Sequence, residues 1–480
     1  MTDLRRWLEK VDDIGELKIV KGADWDLEIG CISDLEYKLK KKSSALLFDE
    51  IKNYPKGFRV LSNSTGTPGR VAITFSLDLS FPSHSSNKEL VEILRQKAGE
   101  WENKMEDFPP EEVGSGPILE NIESGKEVNL LKFPVPRWHE LDGGRYIGTG
   151  DAVITMDPET GEVNFGTYRV MVQDEKTVGL YISPGKHGRI HYEKWHEKGK
   201  PCPVAISVGH HPIIFRVGAM AFPASGVEYK YAGAALGRPI KIIKEEMTRL
   251  PIPAESEIVL VGWCYPGETK GEGPFGEWTG LYASKVTTTP IVKIERIYYR
   301  NEPILLGEPP EFPPSSINYF QILMRSAQTQ NELIKNGIPD VRGVWHSEAG
   351  IYQFIIVSLK QRYPGHAKQA ALSVMQSRWG GAYMGRYVVV VDEDIDPTNM
   401  HEVMWAICNR SDPEKDIDII RRCWSSPLDG MIRKPTQVYL NSRAIIDATK
   451  PFEWKDEYPQ SIRYSPELKA RVLNKWKDLF

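Results

Sequence analysis

No run of about eighteen apolar residues occurs in the chain, so no segment reads as a membrane-crossing helix. The opening MTDLRRWLEKVDDIGEL also lacks the basic, apolar and small-residue order of a secretory leader. Asp3 before Leu4, Trp7, Leu8 and Val11 gives a capped amphipathic helix instead. A cytoplasmic location away from the membrane is the expectation. Cysteine is scarce: Cys31, Cys202, Cys264, Cys408 and Cys423 are odd in number, widely scattered and form no CxxC pair. That excludes a disulfide framework and a thiolate zinc site, and predicts reduced cysteines mostly in the core. There is no surplus of one charge either. Sixty-one Lys and Arg against 65 Asp and Glu give a formal charge of -4, which argues against a nucleic-acid partner. Internal repeats, low-complexity tracts and a glycine fingerprint for a nicotinamide cofactor are all lacking.

What the chain has is length, proline and a change of pattern. Its 480 residues exceed one compact core and predict two or three domains. Up to about residue 110, helical patterns such as DLRRWLEKV and NKELVEILRQKAGEWENKM alternate with strand-like SALLFDEI and GRVAITF, an α/β pattern. From about 115 to 307, short β-branched runs separated by Gly, Pro and Asp turns (DAVITM, TYRVMV, CPVAISVG, EIVLVGWC) predict an antiparallel barrel or sandwich. The long helical stretches of the last third surround YVVVVDEDI, which reads as a buried strand, so the pattern returns to α/β. Prolines cluster in FPVPRW at 133–138 and EPPEFPP at 308–314, candidate boundaries where extended segments meet turns. The expected fold is α+β and multidomain, divided at 1–112, 113–307 and 308–480.

Four segments could carry chemistry. In KGEGPFGEW, Glu272 and Glu277 stand on a loop whose Gly273, Pro274 and Gly276 forbid regular structure and let both carboxylates point into one site. Repulsion and burial there could keep one carboxyl protonated as a proton donor; a solvated acidic loop is the plainer alternative. In NFGTYRVMVQD, Asn164 and Arg169 fall on opposite faces of one strand unless Gly166 kinks it, and an exposed strand arginine is the plainer reading. The stretch SPGKHGRIHYEKWHEKGK is either a phosphate-facing loop leading into a helix or a solvated basic helix face. Its His187–His191 spacing is a weak match to a zinc site. Finally, GVEYKYAGAALGRP places Glu228 at the start of a small-residue helix, where the helix dipole alone would favour a carboxylate, and Ser225 could be its N-cap.

Taken in this order, together with DGGRYIGTGD, AMAFPASGVEYKYAGAALGRP, VVVVDEDIDPTNMHEVMWAICNRSDPEKD and IDATKPFEW, these segments resemble the UbiD family of reversible decarboxylases over nearly the whole chain. The resemblance implies a central split β-barrel that binds prenylated FMN, between an N-terminal α/β domain and a C-terminal α/β oligomerisation domain. It implies that Asn164, His187 and Glu228 hold manganese or magnesium against the flavin phosphate, a donor set that suits such a metal. Thr149, Gly166, Thr167, Tyr168, Arg169, Lys186, His187, Met220 and Glu228 would line the cofactor. Arg169, Glu272 and Glu277 would be catalytic: the arginine grips the substrate carboxylate, with Glu272 paired to it. Glu277 would protonate the carbon left when carbon dioxide departs from the covalent flavin adduct. Gly218 and Ala219 stand where relatives carry serines, which bears on whether the family's potassium site is kept.

The implied function is removal, or addition in reverse, of a carboxylate on an aromatic or α,β-unsaturated acid. A flavin prenyltransferase would supply the cofactor, and the protein would be a homodimer or homohexamer. The rival readings are a non-catalytic or carboxylating subunit of a larger complex, and a flavin oxidoreductase using plain FMN and a hydride donor.

Overall fold

The computed structural model describes residues 3–40, 43–78, 86–220, 222, 225–283, 285–432, 438–477 and 479. Met1 and Thr2 of the opening run, and Ala221, Pro223 and Ala224 of the AMAFPASG segment, lie outside them. The first helix, Leu4–Asp13, starts where the sequence predicts: Asp3 accepts a hydrogen bond from Arg5 N at 2.6 Å, and Leu4, Trp7, Leu8 and Val11 are buried. It covers a sheet ordered Leu17–Lys21, Ala45–Asp49, Arg59–Ser62 and Ile304–Leu306. The last of these comes from far along the chain, so the segment before EPPEFPP closes the N-terminal sheet in parallel with Arg59–Ser62.

The middle of the chain forms a nine-stranded antiparallel sheet. Its order is Arg145–Gly148, Arg169–Val172, Thr177–Tyr181, Thr287–Tyr299, Ile258–Glu272, Cys202–Val208, Ala152–Met156 and Val163–Gly166, with Asn121–Ser124 added beside Thr287–Tyr299. Val163–Gly166 lies at one end of this order and Arg169–Val172 next to the other, yet only Thr167 and Tyr168 separate them in sequence. Three Cα steps reach about 11 Å, so the sheet must curl until its ends nearly meet. NFGTYR is therefore not the single kinked strand expected. It is two strands, and the chain crosses the gap of a half-barrel between them.

The C-terminal sheet runs Val341–His346, Phe354–Leu359, Tyr387–Asp392, Leu440–Ala448 and Ile417–Trp424, with parallel pairing only around its centre. Val388 to Val391 are buried, as a strand covered on both faces requires. Helix Ser316–Lys335 packs on helix Asn87–Lys104, and one apolar cluster joins Phe75 and Leu94 to Ile213 and Tyr231 and to Phe320, Leu323 and Val389. All three thirds of the chain thus share a core. FPVPRW lies in a second apolar cluster, where Phe133, Val135 and Trp138 are buried with Leu46 and Val60 of the N-terminal sheet and Val153 and Leu260 of the curled sheet.

Two local expectations are corrected. Only Cys202 and Cys264 are buried, whereas Cys31 and Cys408 are exposed and Cys423 is half-buried. Ser225 does not cap the helix Glu228–Leu236: Val227 holds that position, and the serine hydroxyl donates to Glu162 at 2.7 Å. Among the described residues no helix is long and apolar enough to cross a membrane.

Candidate active site

The fifteen-residue strand Ile258–Glu272 ends with Glu272, which pairs in register with Thr287. Glu272 is therefore a strand residue rather than the loop residue expected from its glycine neighbours, and its side chain is fully buried. The turn begins at Gly273, whose φ of +92° suits glycine, and carries Glu277. Arg169 opens the strand opposite Thr177–Tyr181. Its Nη2 donates to Glu272 Oε2 at 2.5 Å and its Nη1 donates to Glu277 Oε1. Two strands distant in sequence and one turn thus deliver a carboxylate–guanidinium–carboxylate bridge, all three side chains less than a tenth exposed.

The environment favours charge on the arginine. Burial opposes it, but Glu277 and Glu272 outweigh burial and hold the guanidinium above its ordinary pKa. The guanidinium carbon lies 4.4 Å from the ring centre of Tyr181 and 5.3 Å from that of Phe275, so aromatic faces wall the cation. Tyr146 donates its hydroxyl to Glu272 Oε1 at 3.0 Å; burial pushes its pKa up and keeps it a donor. Both oxygens of Glu272 are consequently engaged, which fits an orienting role.

A second cluster surrounds Tyr168, the residue before Arg169. Neighbouring residues of an extended chain face opposite ways, so one segment serves two half-sites. Asn164 is buried with Nδ2 3.5 Å from the Tyr168 hydroxyl, and Gly188 N donates to that oxygen at 3.4 Å. A Cβ at Gly166 would lie 2.5 Å from the Tyr168 hydroxyl, and one at Gly188 would lie 2.9 Å from its ring. The ring fits because both positions are glycine. Burial first, with the Glu228 charge assisting, pushes the Tyr168 pKa to about 12.

Gly188 belongs to helix His187–Glu197, which Lys186 precedes, so Asn164 and the start of this helix meet across Tyr168. Glu228 opens helix Glu228–Leu236; its Oε2 is buried without a partner, and burial pushes its pKa to about 8. Burial, then Arg378 and Lys186, lowers the His187 pKa, leaving the neutral imidazole that can ligate a metal. The Lys186 side chain is exposed, yet the protein crowded around it, then Arg325 and Arg378, lower its pKa, which marks an open cationic corner suited to an anion. Thr167 joins the segments: its N donates to Gly218 O at 3.1 Å and its hydroxyl donates to Asp151 O at 2.9 Å. Met220, two residues after Gly218, is buried. Thr149 accepts from Glu308 N at 3.0 Å.

These residues fit a divalent cation held with a phosphate. A buried carboxyl with an orphaned oxygen and a raised pKa is stabilised by a cation, and carboxylate, amide oxygen and imidazole suit manganese or magnesium. Among the described residues no three His, Cys, Asp or Glu side chains converge, so such a metal would depend on Asn164 and the ligand's own oxygens. The His187–His191 spacing does not make a zinc pair. His191 is buried under its helix with Nδ1 3.0 Å from Thr155 Oγ1.

Sequence reasoning missed Tyr146, Tyr181 and Phe275 around the arginine and Arg325 and Arg378 near Lys186. Tyr146 lies inside the DGGRYIGTGD run; the two arginines come from the last third and carried no local signal.

Three family descriptions match in chain order: the N-terminal domain of 3-octaprenyl-4-hydroxybenzoate carboxy-lyase at 8–94, its Rift-related domain at 111–310 and its C-terminal domain at 318–448. The phenolic acid decarboxylase of Sedimentibacter hydroxybenzoicus is 32% identical over 462 residues, covering 94% of this chain and 92% of the relative. The solved vanillic acid decarboxylase of the same organism, in open form, superposes with a TM-score of 0.84 at 31% identity, covering 100% of this chain and 98% of that one. An evolved dimeric form of the UbiD-class enzyme HmfF from Pelotomaculum thermopropionicum, in complex with prenylated FMN, matches with a TM-score of 0.81 at 25% identity over 99% of both chains. With its curled half-barrel, its buried Glu–Arg–Glu bridge and all three domain signatures in order, this chain belongs to the UbiD family of carboxy-lyases.

Proposed function

We propose that the protein is a non-oxidative, reversible decarboxylase of an aromatic or α,β-unsaturated carboxylic acid, working with prenylated FMN and manganese or magnesium. The observation that carries this reading is the buried bridge of Arg169 between Glu272 and Glu277. Departure of carbon dioxide leaves an electron pair that no side chain stabilises, and a bound prenylated flavin supplies that electron sink. Arg169 exchanges a carboxylate partner for the substrate carboxylate and orients it. Once Arg169 has turned to the substrate carboxylate, Glu277 takes up a proton from solvent and delivers it to the vacated carbon. Glu272, tied to Tyr146 and Arg169, holds the arginine in place, while Tyr181 and Phe275 keep water from the cation. Asn164, His187 and Glu228 would hold the metal, and Lys186 would face the flavin phosphate.

The phenolic and vanillic acid decarboxylases among its relatives favour a hydroxylated aromatic acid as substrate. Division at 112/113 and 307/308, self-association through the C-terminal third and a cofactor made by a separate prenyltransferase complete the proposal. The test is Glu277→Gln, which should keep fold and flavin while turnover falls by about two to four orders of magnitude, the usual worth of a positioned general acid. Solvent deuterium should also cease to enter the product. Near-parental decarboxylation and exchange would remove the acid role from Glu277, and failure of the parent to release carbon dioxide from any acid would favour a scaffold subunit.

A further inference from the structure

DGGRYIGTGD has an aspartate at its head that the proposed reaction does not use. Asp142 has a fully buried side chain. Its Oδ1 accepts from Gly276 N at 3.0 Å, the residue immediately before Glu277. Its Oδ2 accepts from His139 N at 3.0 Å and lies 3.0 Å from His139 Nδ1. Gly143 N donates to Pro274 O at 2.8 Å, and the Tyr146 hydroxyl reaches Glu272 Oε1 at 3.0 Å and Pro274 O at 3.2 Å. Residues 139–146 therefore hold the glutamate loop at 272, 274 and 276.

The two backbones are also in contact. A Cβ at Gly143 would stand 2.0 Å from Gly273 O, and one at Gly276 would stand 3.0 Å from His139 Nδ1. The far end of the loop meets the same turn: Leu141 N donates to the Tyr282 hydroxyl at 3.3 Å, and the rings of His139 and Tyr282 meet edge to face.

We infer that Asp142, oriented by His139, is a positioning residue for Glu277: through Gly276 it sets where the glutamate presents its carboxyl beside Arg169. The inference rests on the decarboxylase reading. Gly273, Gly276 and Gly280 give this loop wide conformational freedom. Arg169 restrains the carboxyl ends, and Glu277 N donates to Leu281 O at 3.0 Å while Glu277 O accepts from Gly280 N at 2.8 Å, bonds internal to the loop, so the Asp142 tie at Gly276 sets where that loop presents the acid. Rates are sensitive to such placement, since a displacement of about 1 Å can lower turnover about a hundredfold.

The test compares Asp142→Ala, Asp142→Asn and His139→Asn as flavin-loaded enzymes. Asp142→Ala should lower kcat about 10- to 100-fold with KM within about threefold of the parent, because binding by Arg169 persists while proton delivery is misplaced. Deuterium incorporation from solvent should fall in step, and hydrogen exchange should rise at 272–282 and not elsewhere. Asp142→Asn keeps an acceptor for Gly276 N but sets its amide NH2 against the His139 N–H, so it should recover part of the rate, and His139→Asn, which keeps a donor near Oδ2, should retain most of it. Unchanged kcat in Asp142→Ala, no recovery in Asp142→Asn, or a parallel loss of kcat, substrate affinity and flavin content would each overturn the inference. If Asp142→Ala does not fold, the two asparagine variants against His139→Ala decide it by the same split. A parent without turnover on any acid would defeat the decarboxylase reading instead; exchange at 272–282 then decides the tie, and no local rise in a folded alanine variant overturns it.

Discussion

Removing the cation at the centre of the bridge is the severest single test of the site. Arg169→Met keeps most of the side-chain volume but leaves Glu272 and Glu277, both less than a tenth exposed, without the guanidinium that donates to each. Breaking a buried pair by deleting one partner destabilises by about 3–5 kcal/mol, because the remaining charge is desolvated and uncompensated. At about 2.1 cal/mol/K of unfolding entropy per residue, 480 residues unfolding as one unit move the thermal midpoint by about 1 °C per kcal/mol, so a drop of about 3–5 °C is expected. The assay is thermal unfolding of the flavin-free protein, since bound flavin would add its own stabilisation. The triple variant Arg169→Met, Glu272→Gln, Glu277→Gln carries no charge at the site and should regain most of the loss. An Arg169→Met protein within about 1 kcal/mol of the parent, or a triple variant no better than the single, would refute the reasoning that charge pairing dominates here.

Burial lowers His210, His211 and His346 to about 3, so folded protein binds fewer protons than unfolded chain below pH 6.5 and stability must fall as pH drops from 6.5 towards 3. Each should lose about 2 kcal/mol between pH 7 and pH 5. His346→Gln should flatten the fall in the urea midpoint, and an unaltered pH slope would count against it. Glu228→Gln removes the carboxylate with the orphaned oxygen, so manganese content by elemental analysis and flavin content by absorbance should both drop; full retention of both would reassign the metal. Protein expressed in a host without a flavin prenyltransferase should be inactive or carry plain FMN, and full activity there would show another source for the cofactor.

Composition and periodicity, read along the chain, determined much of this protein. Asp3 with Leu4, Trp7, Leu8 and Val11 specified the first helix, because capping and a helical apolar spacing are local properties. The β-branched runs between Gly, Pro and Asp turns specified an antiparallel sheet, and the YVVVVD strand was visible because burial on both faces removes alternation. Glu272, Glu277 and Arg169 could be named from their motifs, and the family resemblance implied that Glu272 pairs with Arg169, but nothing in their spacing or periodicity brought them together.

Tertiary structure decided that meeting. Strand order sends the chain across the barrel gap at Thr167 and Tyr168, and that crossing turns Asn164 and Arg169 from opposite faces of one supposed strand into members of two half-sites. The extension of strand Ile258–Glu272 through Lys270 and Gly271 was equally hidden, since only pairing with Thr287–Thr289 holds those residues extended. Tyr146 and Asp142 reach the site from the DGGRYIGTGD run, which marked the family but gave neither residue a role, and Arg325 and Arg378 reach it from segments whose own patterns look ordinary. Periodicity records which face of an element is buried, whereas which distant elements share that burial is set by sheet register and curl, quantities that belong to pairs of strands and not to any one stretch of sequence.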